Sequence, residues 1–77
     1  MSTTQNTATM NLSTTLQKFI ASSNTTIVNL TNQIAENQFD IDFRPCALRE
    51  EQNEKYRVQV KAIKAEIETA QDTLNSL

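Results

Sequence analysis

Residues 56–77 read YRVQVKAIKAEIETAQDTLNSL. Within them Tyr56, Val60, Ile63, Ile67, Ala70, Leu74 and Leu77 recur at alternating steps of four and three. That spacing returns to one side of an α-helix and makes a coiled-coil stripe three heptads long. A half-buried strand would instead alternate at every second residue. The residues just upstream extend the helix. Glu51 and Lys55, like Lys64 and Glu68, sit at the i, i+4 spacing that adds about 0.3 kcal/mol per pair. Pro45 suits a first helical turn, and Glu50 and Glu51 lie near the positive end of the helix dipole. The pattern predicts a helix from about Pro45 to residue 76.

Immediately before it, Gln38-Phe39-Asp40-Ile41-Asp42-Phe43-Arg44 alternates apolar and polar with period two. This reads as an extended connector over residues 38–44, with Phe39, Ile41 and Phe43 on one side. Arg44 precedes a proline and is pushed away from helical geometry. Further upstream Leu12, Leu16, Phe19, Ile20, Ile27, Leu30 and Ile34 return at helical steps, with Ser23 interrupting their face. A first helix over about 11–37 follows. It is rich in Thr and Asn, which favour helices weakly, so it depends on packing. Residues 1–10 contain no apolar spacing and are expected to form a disordered polar tail. Two helices of similar length joined by a short link pack antiparallel. The expected fold is all-α, a coiled-coil-like helical hairpin over residues 11–77, completed by oligomerisation or by a partner.

Composition narrows the function classes. The chain has 77 residues, no Gly, no His, no Trp and a single Cys. Ser, Thr, Asn and Gln account for 31 of them, so core material is scarce and a chain of this size needs help to be stable. One thiol cannot close an internal disulfide, and without His no structural zinc site can be assembled. With His absent, no catalytic triad or dyad can be written. Cys46 lies beside Arg44 at a helix start, where a thiol can be activated, but an unpaired Cys most often packs as a small hydrophobe. Asp40 and Asp42 offer too few oxygens for a calcium loop. No enzyme, metal or cofactor is therefore expected.

Charge argues in the same direction. The formal net charge is −2, which gives no general attraction to phosphate. Arg57, Lys61 and Lys64 form a basic stripe, but Glu54, Glu66 and Glu68 surround it and no aromatic residue alternates with the cations. Nucleic acid is disfavoured, and the stripe reads as a solvated helix face. No segment approaches the roughly 20 apolar residues of a membrane span, and residues 1–10 do not read as a secretion signal. The expected location is the cytoplasm, or a virion assembled there.

What remains is protein–protein contact. The two stripes, Leu16, Ile20, Ile27, Leu30 and Ile34 on helix 1 and Tyr56 to Leu77 on helix 2, are the candidate oligomer or partner interface. Weaker lines at Ala21, Val28 and Ala35 and at Val58, Ala62 and Ala65 read as ordinary helix-favouring surface residues, with contacts to further subunits as the alternative. Phe39, Ile41, Phe43 and Arg44 form a connector whose rings are expected to fold back and plug the end of the hairpin, with a docking connector as the alternative. A polar amino terminus, two similar helices and a Pro-containing bend resemble the plan of type III secretion needle subunits and some small virion proteins. That resemblance implies a structural viral or needle-like assembly role. The leading expectation is a non-catalytic subunit that self-associates through helix faces. The alternative is a small regulator or inhibitor, virus-encoded in one version, that binds one target protein through the connector or helix 2.

Overall fold

The structure, a computed structural model, describes residues 3–77 and is an antiparallel helical hairpin. Helix α1 spans Thr3–Phe43 and helix α2 spans Ala47–Asn75. Together they make a rod of 65 × 14 × 14 Å.

Two boundaries differ from the sequence reading. The extended connector expected over 38–44 is helical as far as Phe43, and the link shrinks to Arg44-Pro45-Cys46. Seven residues are too few to separate a period of two from one of 3.6. Phe39 and Phe43 are also i, i+4 neighbours, and Ile41 continues the helical line of Ile34 and Asn37. Pro45 restricts Arg44 and cannot continue the helix itself, but it leaves the turns up to Phe43 free to form. Gln38 Nε2 donates to Asp42 Oδ1 at 2.9 Å, and the Arg44 N–H closes the helix on the Asp40 carbonyl at 2.8 Å. The tail expected to be disordered carries helical backbone from Thr3 onward, whereas Met1 and Ser2 lie outside the described residues. Once a helix is nucleated, each added turn needs little further stabilisation.

Local chemistry reconciles the Thr-rich sequence with a helix. The hydroxyls of Thr15, Thr25 and Thr26 donate to the carbonyls of Asn11, Ala21 and Ser22, four residues back, at 2.9 to 3.2 Å. The competing side-chain donor is thus absorbed into the helix. At the start of α2, Cys46 takes the N-cap position in extended geometry without a side-chain cap bond, and Glu50 stands in the first turn. Of the two expected i, i+4 pairs, Lys55 and Glu51 meet at 3.6 Å, while Lys64 and Glu68 do not pair among the described residues.

The seam between the helices follows the heptad pattern. Leu16, Ile20, Ser23, Ile27, Leu30 and Ile34 are half-buried on α1, and Asn37 and Ile41 are buried beyond them. On α2 the matching residues are Asn53, Tyr56, Val60, Ile63, Ile67, Ala70 and Leu74, of which Asn53 and Ala70 are buried. Leu12, Phe19 and Leu77, which the sequence places in the stripes, are exposed. Leu77 lies past the last turn of α2, and Leu12 and Phe19 lie one position off the seam.

The most buried side chains are polar. Asn37 is 2% exposed and Asn53 1%. Asn37 Nδ2 donates to Asn53 Oδ1 at 3.0 Å and to Gln52 Oε1 at 2.9 Å, and Asn53 Nδ2 donates to the Ile34 carbonyl at 3.2 Å. Arg49 Nη1 donates to Asn37 Oδ1 at 3.3 Å and bridges to Asp40 at 2.9 Å. No described buried side-chain nitrogen or oxygen lacks a partner. Removing one member strands the other in the seam, whereas replacing both with apolar residues does not. Asn37→Ala should therefore lower unfolding stability by about 2 kcal/mol in a denaturant titration. Asn37→Leu combined with Asn53→Leu should melt no lower than the parent chain.

Candidate functional site

The residues expected to form an oligomer interface are already used within the chain. Leu16, Ile20, Ile27, Leu30 and Ile34 face α2, and Tyr56, Val60, Ile63, Ile67, Ala70 and Leu74 face α1. They make the hairpin before they can make anything else. Leu77 is the exception, 48% exposed at the open end.

The closed end of the rod is different. Phe39 is 73% exposed, Phe43 88% and Leu48 77%. The two rings project from successive turns at the end of α1, and Leu48 stands in the first turn of α2. Continuing α1 to Phe43 is what places them there: a helix that must bury Ile41 on its seam face turns Phe39 and Phe43 away from it. The plugged hairpin end is thus supplied by Ile41 alone. The rings do not fold back, and of the four connector residues only Ile41 is withdrawn from solvent.

A cleft of about 580 Å³ runs between the two sides of this tip, lined by Phe39, Asp40, Phe43, Arg44, Pro45, Cys46 and Arg49. Its walls are largely apolar. Arg49 is anchored by Asp40 and Asn37 at its base. Arg44 is exposed at the rim and forms no ion pair among the described residues. Cys46 lines the cleft as a free, half-buried thiol. Leu48 and Arg49 were not legible as tip residues. The only signal was that Leu48 is apolar yet lies off the α2 stripe.

The tip offers apolar contact area, one free guanidinium and a small cleft. Among the described residues no three Cys, Asp or Glu side chains gather as metal ligands. No helix among them is long and apolar enough to cross a membrane. Comparison with protein families, with curated proteins and with solved structures returns no match.

The burial contrast at the tip is measurable. Phe39→Ser with Phe43→Ser should change unfolding stability by less than about 0.5 kcal/mol, as for exposed positions. Ile41→Ala should cost about 2 kcal/mol, because it empties a buried site. Denaturant midpoints of the two variants against the parent check both values.

Proposed function

We propose that this chain is a non-catalytic structural protein that works by self-association. The observation that supports this is the distribution of its exposed apolar side chains. Phe39, Phe43 and Leu48 crowd the closed end, Val28 and Val58 interrupt the middle, and Met10, Leu12, Phe19 and Leu77 gather towards the open end. Grouped exposed apolar side chains mark interaction surfaces, and a rod that carries such groups towards both ends offers more contacts than a single anchor. A rod only 14 Å across cannot cover them itself. The seam inside each hairpin supplies the fold, and the outward apolar positions supply the contacts between hairpins.

A second reading rests on the tip alone. Two exposed Phe rings flanking a cleft, with Arg44 at the rim, suit an anchor for one partner protein, because aromatic and Arg side chains carry a large share of interface energy. In that case the chain acts as a small regulator presented on a helical stalk.

Sedimentation of the full chain separates the two. The assembly reading expects a mass above the 8.7 kDa of one chain, rising with concentration and falling in the Phe39→Ser, Phe43→Ser variant. A monomer at every concentration, with helicity intact, would leave the regulator reading in its place.

A further inference from the structure

We infer that α2 carries a self-complementary charged surface on which a second copy of this chain docks antiparallel, with Glu50 and Glu54 of each copy facing Lys64 and Lys61 of the other. The inference rests on the self-association reading and names the surface that orients it.

Glu50, Glu54, Arg57, Lys61, Lys64 and Glu68 follow one another along α2 at steps of four, three, four, three and four. They therefore lie on one line of the helix, flanking the seam, and all are exposed. The line reads acid, acid, base, base, base, acid. It contains the Arg57, Lys61, Lys64 stripe, which is too closely hemmed by carboxylates to serve a phosphate backbone.

The order of the charges selects one geometry. Two copies side by side in parallel register set Glu50 against Glu50 and Lys64 against Lys64, which is repulsive throughout. Reversing one copy about a two-fold at Arg57 sets Glu50 level with Lys64 and Glu54 beside Lys61. The symmetry repeats both pairs, so four opposite-charge contacts form at once. The two Arg57 residues meet at the axis, where each is already bridged to its own Glu54 at 3.6 Å. Among the described residues Glu50, Lys61 and Lys64 form no ion pair within the hairpin, so the Glu54–Arg57 bridge alone has to be shared with the incoming Lys61. On the α1 side, Val28 adds an exposed apolar side chain near the level of Lys61. Contacts of this kind fix register and orientation, and they weaken with salt.

The test is a charge swap in the full chain. Lys61→Glu with Lys64→Glu, and separately Glu50→Lys with Glu54→Lys, should each raise the dimer dissociation constant at least ~tenfold in sedimentation at low salt. Mixing the two variants should restore a dimer, because each then supplies the charge that the other needs. Circular dichroism should show unchanged helicity in the Lys61→Glu, Lys64→Glu chain, which carries the test alone if the reversal near the start of α2 weakens that helix. A spin label on Cys46 should report a partner label ~33 Å away along the axis, from a rise of about 1.5 Å per residue on either side of Arg57. Wild-type dimerisation in the Lys61→Glu, Lys64→Glu variant, no pairing in the mixture, or labels in close contact would overturn the inference. Association that responds to Phe39→Ser, Phe43→Ser and not to charge reversal would retire this surface and leave self-assembly standing. A monomeric parent chain would retire both.

Discussion

The layer on which the hairpin depends is Asn37 against Asn53. Elsewhere the seam is mostly Ile, Leu and Val, with Ser23, Tyr56 and Ala70 among them, and aliphatic residues tolerate one another's places, so such an antiparallel pair has little else to hold it against a heptad slide. The two buried amides resist it. Each shift would face them with an aliphatic side chain and strand donors and acceptors, at roughly 1–3 kcal/mol per group. Polar residues at single seam positions are known to fix register in this way. The Arg49 guanidinium extends the constraint to Asp40. With the register locked, Arg44-Pro45-Cys46 is long enough to reverse the chain, and the tip residues occupy fixed positions.

Much of this was legible in advance, for a physical reason. The 4-3 spacing from Tyr56 to Leu74 can only be a helix face, and the same spacing from Leu16 to Ile34 supplies its mate, so the all-α hairpin follows. The polar layer was hidden because hydrophobic periodicity passes over Asn. Asn37 lies three residues after Ile34 and Asn53 three before Tyr56, and both continue the stripes with the wrong chemistry for a search that follows apolar residues. Alternation misled at residues 38–44, where a window of seven fits either period. The end of α1 is decided by tertiary burial of Ile41, which no local pattern records. The tip was therefore visible as a set of residues but not as a surface.

The rod also explains where its own stability must lie. From the Asn layer outward, the register sets Ile34 level with Tyr56, Leu30 with Val60 and Ile27 with Ile63. Beyond these the layers thin: Ser23 stands level with Ile67 and Ile20 with Ala70. Leu16 level with Leu74 restores a full apolar layer beyond them, so the Ser23 and Ala70 layers are the weakest stretch of the seam. The α1 side chains from Thr7 to Leu12 are exposed.

The Asn layer also bears on the exposed rings. Phe39 and Phe43 are helical side chains, not residues of a loose loop, and they stand next to the buried Asn37, Ile41 and Asn53. Ordering flexible side chains and loops is a large part of what binding must overcome, and a helix that is already rigid has less to lose. The alternating 38–44 segment, read as an extended link, would have to be ordered on contact. As the final turns of α1, pinned by Ile41 below and by the Arg49–Asp40 bridge alongside, it presents its aromatic area already in place. The same polar layer that fixes the register thus fixes the direction in which the rings point.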